Sequence, residues 1–157
     1  MLSGYSEPLS WNKLSLAPLW LKKRFLHLIR RETLNARAGI PAKIIAKMNS
    51  LCDLDVIAAL YEASAAGVEI DLIVRGICCL VPNQPYSQHI RITRIVDMFL
   101  EHARVWYFYN DGKEDLYLTS ADWMRRNLNR RIETAFPILD PDIKQQIIDI
   151  LQIQLKD

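Results

Sequence analysis

Hydrophobic and polar residues along the chain alternate with two periods, one close to a helical turn and one close to two residues. Over residues 19–38 the apolar positions Leu21, Phe25, Leu28 and Ile29 recur at helix spacing between basic residues. Gly39 and then Pro41 close the run. The stretch KIIAKM, Lys43–Met48, is short and β-branched and predicts a strand. A helix is expected over residues 54–66, with Asp53 or Asp55 as its cap and Gly67 as its stop. EIDLIVR, residues 69–75, predicts a second strand. Strand, helix and strand joined this tightly make a βαβ unit, which calls for a parallel pair with a right-handed crossover.

Beyond that unit the pattern loosens. Residues 76–89 contain Pro82, Asn83 and Pro85 and read as a long loop, a kind of segment that often carries function. Thr93 is placed as the cap of a short helix reaching Leu100. Residues 104–109 and 114–119 predict two strands around the turn Asn110-Asp111-Gly112, a strong hairpin signal. Another strand is expected over residues 131–138. Asp140 then caps a final helix whose first residue is Pro141 and whose apolar face is Ile143, Ile147, Ile150, Leu151 and Leu155. Residues 1–18 read as an extended lead-in, with Tyr5 and Trp11 as possible anchors, and residues 19–157 as one domain. The expected fold class is α/β, a mixed β-sheet flanked by helices.

Composition narrows the possible functions. Half of the 157 residues are hydrophobic and 24% are charged, ordinary for a globular domain. The net charge is only +2, so an anion site has to be local, built from clustered arginines, and nothing points to nucleic acid. No apolar run reaches the roughly 18 residues of a membrane span, and the N-terminus lacks the pattern of a signal peptide. A cytoplasmic location is the expectation. The three cysteines, Cys52, Cys78 and Cys79, fit neither a disulfide framework nor metal-ligand spacing, and are expected as buried reduced thiols.

Candidate chemistry gathers at the predicted strand ends, where ligands sit in open α/β sheets. Lys47 and Asn49 close the first strand, and Arg75 closes the second beside Gly76. The guanidinium of Arg75 is a fixed charge with a planar fork of donors that suits a phosphate, although an ion pair with an acid at the sheet edge is the simpler use. His102 stands at the head of the hairpin with Arg104 two residues on, on the same strand face. A histidine titrates near neutrality and can act as acid, base or nucleophile toward phosphorus; a structural hydrogen bond is the plainer role. Ser120, Asp122, Arg125 and Asn127 follow the hairpin, and the cluster Arg125, Arg126, Arg130 and Arg131 reads either as an anion path or as a solvated helix face. His27 and His89 are expected to be structural, and Trp106 and Trp123 to be packing residues.

His102-x-Arg104, strand, turn, strand, then Thr-Ser-Ala-Asp resembles a degenerate phospholipase D signature. Arg104 stands in place of that superfamily's lysine, Asp122 in place of its asparagine, and Tyr109 in the place of its aspartate. These departures speak against ordinary phosphodiester hydrolysis. Longer strings, "AKMNSLCD", "ALYEASAAGVEIDLIVRGICCLVP", "IRITRIVDMFLEHARVWYFYNDG" and "LYLTSADWMRRNLNRRIE", resemble the C-terminal region of bacterial polyphosphate kinase, the long-chain type built with phospholipase-D-like domains. The resemblance covers nearly the whole chain.

It implies a reversible transfer of the terminal phosphate of ATP onto inorganic polyphosphate, with magnesium, through a phosphohistidine in an earlier domain of the family that has no counterpart here. On this resemblance His102 corresponds to the histidine facing that phosphohistidine, and Arg75 to an arginine that binds ATP phosphates. The family's magnesium-linked arginines and adenine-stacking tyrosine are without counterparts, and no metal ligands are identified. The implied partners are ATP, polyphosphate and the missing N-terminal domains, in cis or from another copy, with homo-oligomerisation expected. An apolar face left free where those domains would pack is a further expectation. The alternatives are a remnant that binds ATP or polyphosphate without turnover, and a phospholipase-D-like phosphodiesterase acting as a dimer.

Overall fold

The computed structural model describes residues 15–16, 19–95, 104–119 and 134–156. A seven-stranded sheet runs through them in the order β1-β7-β6-β5-β2-β3-β4. Its strands are β1 (Ser15–Leu16), β2 (Lys43–Met48), β3 (Glu69–Val74), β4 (Ile90–Thr93), β5 (Arg104–Phe108), β6 (Asp115–Thr119) and β7 (Thr134–Pro137). The helices are α1 (Leu19–Arg37), α2 (Leu54–Ala66) and α3 (Pro141–Lys156). The pairs β2–β3 and β3–β4 are parallel, while β2–β5, β5–β6, β6–β7 and β1–β7 are antiparallel. The sheet is therefore mixed, as the α/β reading requires, and chain direction reverses between β2 and β5.

The two faces of the sheet follow from strand alternation. Ile44, Ala46, Met48, Ile70, Leu72, Val74, Trp106 and Phe108 point to one side, into the larger core built with Leu21, Phe25, Leu28 and Ile29 of α1 and Val56, Ile57 and Leu60 of α2. Ile45, Ile73, Val105, Tyr107 and Leu116 point to the other, where Ile148 and Leu151 of α3 cover them. Phe25 anchors the first core through ring contacts with Trp106, Phe108 and Tyr117 at centroid distances of 5.4, 6.2 and 5.7 Å.

Local chemistry explains why the elements end where they do. Asp53 caps α2, its carboxylate accepting from the backbone N–H of Asp55 and Val56 at 3.0 and 3.1 Å. Gly67, at φ 106°, closes α2 in the left-handed region. Asp140 does for α3 what Asp53 does for α2, accepting from Asp142 and Ile143 at 2.8 and 3.1 Å. The expected loop over residues 76–89 is a tied structure: Ser87 Oγ donates to Val81 O and accepts from Gln84 N, both at 2.9 Å. Val81 N donates to Tyr61 Oη at 2.9 Å.

Several expectations are corrected. Thr93 does not cap a helix; it ends β4, a short strand that the sequence pattern missed and that pairs with β3. Residues 96–100 of the expected helix lie outside the described residues. β7 ends at Pro137, one residue before the expected strand, whose residues 131–133 also lie outside the described residues. The buried face of α3 centres on Ile148 and Leu151, with Ile147 and Leu155 partly buried, whereas Ile143 and Ile150 are exposed. The cysteines are not buried: Cys52 and Cys78 are half-buried and Cys79 is exposed. Trp106 is a core residue with no exposed surface. His89 is structural, its Nδ1 lying 2.9 Å from Ser64 O. No helix among the described residues is long and apolar enough to cross a membrane.

Candidate functional site

The C-terminal ends of the parallel strands β2 and β3 lie at the same edge of the sheet as the start of antiparallel β5 and the end of β6. The β5–β6 register, Arg104 opposite Thr119, and the β2–β3 register, Met48 opposite Val74, put these four ends together. β2 and β5 meet at Lys47 opposite Val105. Lys47 and Asn49, Arg75, and Arg104, three places far apart in sequence, therefore share one edge. His102 precedes Arg104, and Ser120, Asp122, Arg125 and Asn127 follow Thr119; all five lie outside the described residues.

Backbone geometry holds the edge together. The N–H of Arg75 donates to Met48 O at 3.2 Å and that of Gly76 to Asn49 O at 2.6 Å, so the parallel ladder continues past both strands. Further on, Leu51 N donates to Ile77 O at 2.8 Å and Cys79 N to Leu51 O at 2.9 Å. At Gly76 the chains approach so closely that a Cβ would lie 2.8 Å from Asn49 O and 3.2 Å from Ser50 Oγ. Glycine at this position is thus a packing requirement rather than merely a hinge.

Alternation assigns the candidate side chains to opposite faces. Lys47, on β2, shares the α3 side with Ile45, whereas Arg104, on β5, shares the α1–α2 side with Trp106 and Phe108; Arg75 follows the end of β3, where the chain bends at Gly76. An anion contacted by all three would have to sit over the strand ends rather than on either face. Lys47 is buried, only 8% exposed, while Arg75 and Arg104 are half-buried. Among the described residues the side chain of Arg75 has no ion-pair or hydrogen-bond partner. The simpler use foreseen for an arginine in this sheet belongs to Arg91 instead, which grips the buried Asp71 carboxylate with Nε and Nη2 at 2.7 and 2.9 Å.

Two further constellations went unread in the sequence. Glu32 is fully buried on α1, where its carboxylate accepts from the backbone N–H of Asn110 at 3.0 Å and Lys43 at 3.3 Å, with Arg31 Nη2 3.4 Å away. Burial raises its pKa above the ordinary carboxylate value, against the opposing effect of those donors. It fastens α1 to the start of β2 and to the hairpin turn. Beside it, a cavity of about 320 Å³ is lined in part by Arg24, His27, Arg31, Asp115 and Lys144. Among the lining residues, Asp115 pairs with Arg31 at 3.0 Å. Glu32 and Asp115 left no periodic signal because their partners are backbone groups or residues distant in sequence.

The donor set of the strand-end edge, guanidinium, ammonium and amide, suits an oxyanion. It does not suit magnesium, which takes oxygen ligands, chiefly carboxylates and waters. Among the described residues no group of three or more His, Cys, Asp or Glu side chains gathers where a metal ion could be held.

Residues 14–157 match the family model described as polyphosphate kinase C-terminal domain 2. The chain belongs to that family. It is 51% identical over 158 residues to the polyphosphate kinase of Thermosynechococcus vestitus, covering 100% of this chain and 22% of that protein. The crystal structure of polyphosphate kinase from Porphyromonas gingivalis superposes with a TM-score of 0.90 at 56% identity, over 92% of this chain and 22% of the other. The chain thus spans about a fifth of the length of the polyphosphate kinases it matches. A phospholipase D family member, Nuc from Salmonella typhimurium, superposes with a TM-score of 0.60 at 14% identity, covering 90% of this chain and 91% of the other. That likeness makes the polyphosphate kinase C-terminal domain a phospholipase-D-like fold.

Proposed function

We propose that the chain is the C-terminal, phosphate-handling domain of an ATP–polyphosphate phosphotransferase that moves the terminal phosphate of ATP reversibly onto inorganic polyphosphate. The observation that carries this reading is the 51% identity over the whole chain to a protein named polyphosphate kinase. The strand-end edge with Arg75 and Arg104 is compatible with it. Residues 19–157 act as one domain and the segment before them as the lead-in from a preceding one.

In this reading Arg75 binds the nucleotide phosphates. A phosphoryl group in flight spreads charge over its oxygens, and Arg75 and Arg104, both at the strand-end edge, offset that charge. His102 faces a phosphohistidine supplied from outside this chain, in cis or by another copy, and donates to a bridging oxygen. Lys47 and Asn49 line the floor, and Ser120, Asp122, Arg125 and Asn127 lie along the path of the polyanion. Magnesium enters with the nucleotide in this scheme, since the described residues do not fit a resident ion.

Calorimetric titration with ATP–magnesium and with short polyphosphate tests the proposal. Loss of a charge-assisted hydrogen bond costs about 1.5–3 kcal/mol, so Arg75→Ala and His102→Ala are expected to weaken binding about tenfold or more. Unchanged affinity in both variants would remove these residues from the site. Binding without phosphate incorporation, once the missing domains are added, would instead mark a binding module. Cleavage of a generic phosphodiester would favour the phospholipase D chemistry that Arg104 argues against.

A further inference from the structure

Two of the three thiols stand side by side at the same edge of the sheet. Leu51 and Cys78 form a parallel bridge just beyond β2 and β3. The next residue on each strand, Cys52 and Cys79, therefore faces its counterpart on the other side of that short ladder. Their sulfurs are 2.8 Å apart, with the Cys79 thiol donating to Cys52 Sγ. Cys78 turns the other way, packing against the α1–α2 core with its Sγ 3.7 Å from Leu80 O. Adjacent parallel strands lie about 4.8 Å apart, which is inside the span a disulfide bridges without backbone movement. Cys79 is exposed and Cys52 half-buried, so both residues of the pair are within reach of solvent.

We propose that Cys52 and Cys79 form a reversible disulfide under hydroperoxide oxidation, tying the loop after β2 to the loop after β3. The chemistry balances with the oxidant as the only co-reactant. The Cys79 thiolate attacks the peroxide oxygen, the O–O bond breaks, and a sulfenic acid forms as the alcohol or water leaves. Cys52 sulfur then attacks the sulfenic sulfur, the S–O bond breaks, and water leaves with the Cys52 proton. Two thiols lose two electrons and two protons, and the hydroperoxide gains them. The tied loops carry Asn49 and Arg75 at their starts, with Gly76 already wedged against Asn49. The cross-link thereby fixes the spacing of the strand-end edge. This regulatory consequence rests on the phosphate-site reading above; the cross-link itself does not.

The test is peptide mapping of the 157-residue chain after hydrogen peroxide, with blocking of free thiols. The expected product is a Cys52–Cys79 disulfide within one chain, loss of two blockable thiols, and full recovery with dithiothreitol, while Cys78 remains blockable. Cys79→Ser and Cys52→Ser should each abolish it. A Cys78–Cys79 product, a disulfide between chains, or sulfinic acid at Cys79 with Cys52 still free would overturn the proposal. Short polyphosphate is then titrated into the oxidised and reduced forms, which are expected to differ threefold or more in affinity. Equal affinities would overturn the regulation. No binding to either form would overturn the phosphate-site reading and the regulation with it, while the peptide map decides the cross-link separately.

Discussion

At the scale of single residues, the most exacting positions are those where a backbone approaches another group. Gly76 sits against Asn49 O, a backbone atom, and close to Ser50 Oγ. Gly76→Ala is expected to destabilise the fold by about 1–3 kcal/mol, read from the urea midpoint, because the overlap must be relieved by shifting backbone. Glu32 makes a prediction about pH. Its folded pKa lies above the ordinary 4.5 because burial disfavours its charge. A raised pKa contributes stability that is fully present below 4.5 and is lost as pH rises through the folded value. Glu32→Gln carries no charge to bury, so its stability relative to the parent should improve between mildly acidic and neutral pH. Urea titrations of both chains at the two conditions check the sign, and a constant difference would refute it. Neither position announced its role in the sequence. What each touches is brought in by the tertiary fold.

At the scale of elements, legibility followed the strength of local signals. β2 and α2 matched their expected bounds because Asp53 and Gly67 mark the ends of α2 in the chain itself. β4 was missed because four residues, one of them Arg91 gripping Asp71, carry too little pattern and depend on β3 for their pairing. α3 was located correctly, yet its inward face was read only in part: Ile147, Leu151 and Leu155 turn inward, whereas Ile143 and Ile150 do not and Ile148 takes their place. Isoleucines and leucines occupy several sides of that helix, so periodicity alone could not decide which side meets the sheet. The structure decides for Ile148, only 7% exposed, over Ile150, 52% exposed. Ile148→Ala is therefore expected to cost about 2–5 kcal/mol and Ile150→Ala no more than about 0.5 kcal/mol. Thermal or urea unfolding of the pair measures the contrast, and equal losses would restore the sequence-based face.

At the scale of the whole molecule, two locally wired halves meet along one ladder and across both cores, with Phe25 of α1 touching Trp106 and Phe108 and Ile148 and Leu151 of α3 covering Ile45 and Ile73. The βαβ unit with β4 forms one half and the β5–β6–β7 meander with α3 the other, and they meet where Ile44–Lys47 pair with Val105–Phe108. Phe136, Leu139, Ile143, Ile150 and Ile153 remain exposed on and before α3, in keeping with a free apolar face. The family was readable because long strings of residues carried it, whereas the division of Lys47 from Arg104 between faces emerged only from the registers.

The reversal of chain direction between β2 and β5 gives that seam one more property. Under the proposed function, an anion gripped by Arg75 on one half and Arg104 on the other would add a clasp across the join, beside the ladder and the two shared cores. Heat becomes a way of watching the clasp close: polyphosphate should delay melting in proportion to its occupancy of the folded form. Either arginine removed should loosen the clasp, and a delay that survives both Arg75→Ala and Arg104→Ala would place the anion somewhere other than the seam.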